Sequence, residues 1–163
     1  MRVTGGRVFQ SGRFVEAEVL VDAGRIAGVA PGPDAAIAAG EASVDARGCY
    51  VVPGFVDIHF HGCRGADLCD ASEEAIREIA RYEASRGVTA ICPATMTYPE
   101  ERLASVVRAA AALEPAAEEA ALAGINMEGP FISPDKIGAQ NPAYVQRADA
   151  AMLRRLQGES GGL

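Results

Sequence analysis

The sequence predicts an α/β protein with parallel strands, preceded by a smaller β-rich segment. The hydrophobic pattern changes at Pro53, from short runs of β-branched and aromatic residues to apolar strands that alternate with amphipathic helices. The order after Pro53 is β-α-β-α-β, which implies parallel strands joined by right-handed crossovers. Polar side chains follow each apolar strand, and the carboxyl ends of parallel strands would gather them at one edge of the sheet.

Residues 1–53 have the pattern of a small antiparallel sheet. Residues 3–9 and 14–22 are rich in β-branched and aromatic residues, and a turn at 22–25 leads into a third strand at 26–29. Proline and glycine break the chain at 31–34, and an extended piece follows at 44–52. Such short strands bury little apolar surface by themselves.

Three apolar runs after Pro53 predict the strands of the parallel sheet. They are residues 55–60, 88–92 and 121–127. The first run is nearly continuous, which predicts a strand that is covered on both faces.

Two helices are predicted between these strands. Residues 70–73 have the pattern of a capping box, with Ser72 as a competing N-cap, and this helix extends to about Arg86 before Gly87. Pro99 is placed to begin the second helix. The faces predicted to be buried contain Ile76, Ile79, Ala80 and Glu83 in the first helix, and Leu103, Val106, Val107 and Ala110 in the second.

Composition restricts the class of protein. The chain is 49% hydrophobic and 23% charged, as ordinary soluble proteins are. A net charge of −7 argues against nucleic acid as a partner. No apolar run is long enough for a membrane span, and the first residues lack a signal-peptide pattern. The four irregularly spaced cysteines predict free thiols in a cytoplasmic protein, with disulfides and a zinc pair of Cys63 and Cys69 as the alternatives.

The only two histidines of the chain, His59 and His61, are the first candidates for a functional site. Side chains two apart in a strand point to the same face, so the pair could form half of a divalent-metal site. Thr95 and Thr97 follow the second strand, and Glu128 follows the third. Two imidazoles and a carboxylate suit zinc or a similar ion. The alternatives are a surface histidine pair without a role and a salt-bridged or helix-capping carboxylate at Glu128.

The position of these polar residues fits two parallel architectures, a (β/α) barrel and a doubly wound sheet. A doubly wound sheet usually has a glycine-rich phosphate-binding turn after its first strand. Residues 61–65, with the sequence HGCRG, do not match that pattern, so the barrel is favoured.

The segments PGFVDIHFHG and INMEGPFISPDKIGAQNP resemble the N-acetylglucosamine-6-phosphate deacetylases of the amidohydrolase superfamily. The resemblance implies that residues 54–163 are the first part of a (β/α)8 TIM-type barrel, about three βα units, and that residues 1–53 are part of a small β-sandwich domain. It implies metal-dependent hydrolysis of N-acetylglucosamine 6-phosphate to glucosamine 6-phosphate and acetate, in amino-sugar catabolism. The resemblance also implies that full-length members of the family are homodimers or homotetramers, and that they have no nucleic-acid or membrane partner.

The resemblance also implies roles for individual residues. Glu128 corresponds to a metal ligand, and His59 and His61 to a pair that holds a second metal in some members. Ala139 and Gln140 correspond to a dipeptide that contacts the sugar. In several members a histidine stands where this chain has Gln140, which can donate a hydrogen bond but cannot carry a proton. The implied cofactor is zinc, with iron, manganese or cobalt as alternatives.

The resemblance places two further metal-binding histidines and the general-base aspartate beyond Leu163, so no catalytic residue is assigned within the chain. A complete barrel takes roughly 250 residues. We therefore expect a fragment or a truncated gene product whose activity requires a complete chain. The alternatives are a non-catalytic remnant and a hydrolase of another N-acetylhexosamine phosphate or of a cyclic amide.

Overall fold

The computed structural model describes residues 1–32 and 40–162, and the chain divides into two compact units, Met1–Pro53 and Gly54–Leu163. The division falls at the residue where the hydrophobic pattern changes. Pro33 and Asp34, which belong to the predicted chain break, lie outside the described residues.

The first unit is a sheet built around one long strand, β3, which pairs antiparallel with β1, β2 and β4. Two short strands extend the sheet by parallel pairing, β5 beside β1 and β6 beside β2. Its buried centre is formed by Val8, Ala17 and Val19. The strands are β1 (Arg2–Thr4), β2 (Arg7–Gln10), β3 (Arg13–Asp22), β4 (Arg25–Pro31), β5 (Ser43–Asp45) and β6 (Tyr50–Val51).

The single strand predicted over residues 3–9 is wrong, because the chain breaks at Gly5 and Gly6. Gly5 has a φ of +74°, which side-chain-bearing residues rarely adopt. A Cβ on Gly6 would lie 2.7 Å from a methyl carbon of Val51 and 2.9 Å from the Cβ of Ala46. The break lets β1 and β2 pair with different halves of β3.

The second unit is a three-stranded parallel sheet in the order β11-β10-β7, with helices between successive strands. The predicted β-α-β-α-β order with parallel strands is therefore confirmed. None of the helices in the described ranges is long and apolar enough to cross a lipid bilayer. The elements are β7 (Phe55–Asp57), β8 (Gly62–Cys63), β9 (Ala66–Asp67), α1 (Glu73–Ser85), β10 (Val88–Ile91), α2 (Glu100–Ala111), β11 (Ala121–Leu122) and α3 (Ala150–Glu159).

The prediction that the first strand of this sheet is covered on both faces is wrong. The side chains of Phe55, Val56 and Ile58 are 60%, 61% and 64% exposed. The reason is that β7 is the edge strand of the sheet, while α1 packs against its central strand β10. The strand is also shorter than predicted, because the Asp57 carboxylate accepts a hydrogen bond from the backbone N–H of His59 and turns the chain there.

The start of α1 shows how two candidate caps share one segment. Ser72 is the N-cap, and its hydroxyl accepts a hydrogen bond from the N–H of Ala75. The prediction of a capping box over residues 70–73 is wrong, because Asp70 instead completes a capping box with Asp67 around a short 3-10 helix. The helix ends before Gly87, whose φ is +84°.

Three clusters of buried side chains hold the second unit together. Leu68, Ile76 and Val106 connect α1 with α2, and Ile79 with Ile91 connects α1 with β10. The buried faces predicted for both helices are confirmed, apart from Glu83, which is only half-buried. The third cluster contains Leu103, Val107, Met152 and Leu156.

The four cysteines are free thiols, as predicted. Cys69 is buried, and this burial raises the pKa of its thiol to about 11, although a hydrogen bond from the N–H of Met96 partly opposes the shift. Cys49 is exposed.

Thiol labelling tests this difference in burial between Cys49 and Cys69. Because the thiolate is the nucleophile, we expect iodoacetamide at about pH 8 to modify Cys49 well before Cys69 in the folded protein, and both in denaturant. Mass spectrometry of proteolytic peptides over time gives the two rates. Equal rates in the folded protein would show that Cys69 is not held in a buried site.

Candidate metal centre

Hydrogen bonds beyond the regular strands bring the polar residues of the second unit together. The N–H of Ala94 donates to the carbonyl of Phe60 at 2.6 Å, the N–H of Thr95 to that of Asn126 at 2.9 Å, and the N–H of Asn126 to that of Pro93 at 3.0 Å. These bonds continue the parallel pairing past the carboxyl ends of β7, β10 and β11. Residues far apart in sequence therefore meet at one edge of the sheet.

His59, His61 and Glu128 form a cluster at this edge. One potential ligand atom from each lies within 4.8 Å of the others. The Oε2 atom of Glu128 is 3.1 Å from Nε2 of His61 and 3.6 Å from Nε2 of His59. The structure thus brings together the three residues that the sequence singles out as metal ligands. Their role as ligands remains a prediction.

The contact between His61 and Glu128 provides a test of whether these residues suit a cation. Nδ1 of His61 lies 3.1 Å from the carbonyl oxygen of Ala94, which can only accept, so this nitrogen carries the proton of the neutral ring. Nε2 then presents a lone pair to Glu128. The Oε2 atom of Glu128 is buried and has no hydrogen-bond partner among the described residues. With the ring neutral, two facing acceptors repel each other, and either a divalent ion between them or a second proton on the ring would relieve that repulsion.

Asp57 supports the cluster through the backbone. The carboxylate is half-buried, and its Oδ1 accepts from the N–H of His59 at 3.0 Å. Asp57 therefore shapes the turn that carries His59.

The two predicted sugar-contacting residues differ in their surroundings. Ala139 is exposed, whereas Gln140 is 6% exposed. Oε1 of Gln140 accepts from the N–H of Thr97 at 2.6 Å, and its Nε2 lies 3.6 Å from the sulfur of Met96. Gln140 therefore ties the loop after Glu128 to the segment after β10. Substrate contact by Ala139 and Gln140 stays a prediction.

Asn126 is a polar residue of this site that we did not single out from the sequence. Its Nδ2 atom lies 2.9 Å from the carbonyl oxygen of Ile58 and 3.1 Å from Nδ1 of His59. The available signal was its spacing, because Asn126 is two residues before Glu128 at the end of an apolar run. Thr95, whose N–H donates to the carbonyl of Asn126, and Thr97 have buried hydroxyls without hydrogen-bond partners in the described part of the protein.

A parallel α/β unit with histidine and carboxylate side chains clustered at its strand ends has the architecture of the metal-dependent α/β enzymes. The chain belongs to the amidohydrolase family, because the sequence profile of that family matches residues 42–129, more than half of its length.

Individual relatives agree with this membership. The chain is 30% identical over 152 residues to the N-acetylglucosamine-6-phosphate deacetylase of Lysinibacillus sphaericus, covering 93% of this chain and 38% of that protein. It is 29% identical to the human enzyme of the same name, covering 100% of this chain and 41% of that protein. The chain thus spans about two fifths of the length of these relatives.

Solved structures show the same fold. The crystal structure of the N-acetyl-D-glucosamine-6-phosphate deacetylase from Mycobacterium smegmatis matches with a TM-score of 0.83 at 25% identity, covering 99% of this chain and 45% of that one. The enzyme from Pasteurella multocida matches with a TM-score of 0.84 at 19% identity, over 99% of this chain and 42% of that one. The mixed α/β fold of this chain is therefore that of the deacetylase structures.

Proposed function

We propose that this chain forms part of a metal-dependent deacetylase that hydrolyses N-acetylglucosamine 6-phosphate to glucosamine 6-phosphate and acetate. The observation that carries the proposal is the 3.1 Å contact between Nε2 of His61 and Oε2 of Glu128. In the neutral ring the proton lies on Nδ1, so both atoms of this contact are acceptors. Amidohydrolases generally use a divalent metal, and His59, His61 and Glu128, to which the resemblance assigns metal-binding roles, converge at the strand ends of this chain.

Zinc is the ion that we propose for this site, because imidazole nitrogen and carboxylate oxygen are among its usual ligands. When bound, such an ion polarises an acetamide carbonyl and lowers the pKa of water. His61 and Glu128 would hold it, with His59 beside them. The loop tied down by Gln140 keeps Glu128 at the edge of the sheet.

Gln140 also provides a candidate contact for the acetamide group. Its Oε1 accepts from the N–H of Thr97, whereas the one partner of its Nε2 among the described residues is the sulfur of Met96, a weak acceptor 3.6 Å away. We propose that this NH₂ group can donate to a substrate carbonyl, next to the exposed Ala139. Another N-acetylhexosamine phosphate would present the same acetamide group, so it is the alternative substrate.

The complete protein that we propose has the architecture implied by its relatives. Residues 54–163 would form the first three βα units of a (β/α)8 barrel, and residues 1–53 part of a β-sandwich domain. Such a protein would act in the cytoplasm in amino-sugar catabolism, as a homodimer or homotetramer. A non-catalytic, metal-binding remnant is the second candidate. It is favoured by the fact that, within 1–32 and 40–162, only His59, His61 and Glu128 converge as a possible metal-binding group.

Acetate release from N-acetylglucosamine 6-phosphate tests the proposal. The natural gene product that contains this chain is assayed with zinc, beside the 163-residue polypeptide alone. We expect the natural gene product to release acetate and the polypeptide alone to release none, since the resemblance places the general base beyond Leu163. Glu128→Gln should abolish the turnover, because it removes the carboxylate charge from the metal site.

Glu78→Gln is the matched control, since Glu78 is a partly exposed carboxylate on α1 that pairs with Arg64. This substitution should leave turnover unchanged. A gene product that takes up zinc but releases no acetate from N-acetylglucosamine 6-phosphate or from another N-acetylhexosamine phosphate would refute the deacetylase and support the non-catalytic candidate. Turnover by the 163-residue polypeptide that depends on Glu128 would show instead that a group within the chain acts as the base.

A further inference from the structure

The orientation of the Asn126 amide is fixed by a neighbour that can only accept. The carbonyl oxygen of Ile58 lies 2.9 Å from Nδ2 of Asn126, so the NH₂ group must point toward it. The opposite orientation would bring the Oδ1 atom of Asn126 against this carbonyl, with two acceptors in contact. The hydrogen-bond pattern therefore identifies which end of the amide is the donor.

The same NH₂ group faces the ring of His59. Its nitrogen lies 3.1 Å from Nδ1 of His59, and one of its two hydrogens remains after the bond to Ile58. Nδ1 of His59 must then accept, which leaves the proton of the neutral ring on Nε2. That N–H points toward the Glu128 carboxylate, whose Oε2 is 3.6 Å away. The separation is too long for a hydrogen bond but gives a favourable electrostatic contact.

His61 has the opposite arrangement. Its Nδ1 donates to the carbonyl of Ala94, so its Nε2 is free to bind a cation. The two histidines, with ring centroids 5.7 Å apart, are therefore held in different tautomers by different neighbours. His61 is ready to act as a ligand through Nε2, and His59 is not.

We propose that Asn126 is a positioning residue that holds His59 in its Nε2–H tautomer, so that His61 and Glu128 form the first metal-binding pair and His59 joins only after Asn126 releases it. A metal-binding histidine usually donates its other N–H to an acceptor. At Nδ1 of His59, however, Asn126 offers a donor instead of an acceptor. For Nε2 of His59 to bind, the Asn126 amide must turn over and lose its bond to Ile58. The inference rests on the metal site of the proposed function.

Nitrogen NMR of the metal-free protein tests the tautomers directly. Long-range proton–nitrogen correlations of ¹⁵N-histidine-labelled protein are recorded at about pH 8, where an ordinary imidazole is neutral. The chain has only two histidines, so His61→Gln assigns both patterns. We expect the Nε2–H pattern for His59 and the Nδ1–H pattern for His61. Two Nδ1–H patterns, or averaged signals for His59, would overturn the proposal.

Two variants separate the role of Asn126 from that of a merely structural residue. Asn126→Asp offers only acceptors, so His59 should switch to the Nδ1–H tautomer before any metal is added. Asn141→Asp is the control, because it makes the same change of charge at a residue whose side chain caps a short helix elsewhere in the second unit. It should leave both tautomers unchanged. An unchanged His59 pattern in Asn126→Asp would also overturn the proposal.

Zinc titration of the same proteins separates this inference from the proposed function. Asn126→Asp should bind zinc on the order of tenfold more tightly than the parent, the scale on which partners of metal-binding histidines act. If His59 and His61 have the two different tautomers expected but the protein takes up no zinc, the metal site is refuted and Asn126 remains as the group that orients His59. Zinc uptake with two Nδ1–H histidines would refute the role of Asn126 alone.

Discussion

Replacing His59 and His61 together by glutamine should remove most zinc uptake by this chain, whereas Glu128→Gln should reduce it less. The double variant leaves one carboxylate in the cluster, and a single ligand holds zinc weakly. Glu128→Gln keeps both imidazoles and a neutral amide oxygen in the same position. We expect the double variant to lose more than about a hundredfold in affinity, which is the upper end of the range for losing only a partner of a metal ligand, and Glu128→Gln to lose less than the double variant.

Calorimetric zinc titration of the three proteins decides between a metal site and a surface histidine pair without a role. If the double variant binds zinc as tightly as the parent, the pair does not bind metal. The single variants add a ranking, because His61 presents a free Nε2 while His59 faces the Asn126 amide. His61→Gln should therefore weaken binding more than His59→Gln. Uptake in the parent should also fall on acidification, since protons compete for imidazole nitrogen.

The parts of the fold that the sequence predicts well are those with strong local signals. The stripe of Leu103, Val106, Val107 and Ala110 and the turn at Gly87 are determined by neighbours within one helix, so periodicity and capping identify them. The meeting of His59, His61 and Glu128 also follows from a simple rule, because parallel strands place their carboxyl ends at one edge.

The features that the sequence did not reveal depend on tertiary partners. The helix α3 has only Met152 and Leu156 buried, too few to give a clear stripe, and it is held by packing on Leu103 and Val107. The exposure of Phe55 follows from the place of β7 in the sheet, which an apolar run does not encode. The contact of Asn126 with His59 joins residues 67 positions apart.

Gly129→Ala should both destabilise the second unit and weaken zinc uptake. A Cβ at this position would overlap the Oγ1 atom of Thr97 and lie 2.9 Å from its Cβ and 3.0 Å from its Cα. Thr97 is 1% exposed and its N–H is bonded to Gln140, so it cannot move aside without disturbing the loop. We expect a loss of about 1–3 kcal/mol in the free energy of unfolding, as for other overpacked sites.

The same overlap should act on the metal site, because Gly129 directly follows Glu128. Moving the Gly129 backbone away from Thr97 shifts the Glu128 carboxylate relative to His61, now 3.1 Å away. Urea unfolding and zinc calorimetry measure the two effects. Gly124→Ala is the matched control, since its added Cβ would meet only the Cys92 sulfur, at an ordinary 3.5 Å. Thr97→Ala in the Gly129→Ala background removes Oγ1 and should restore part of both losses. If Gly129→Ala matched Gly124→Ala in stability and zinc affinity, the close packing of Gly129 on Thr97 would not be what positions Glu128.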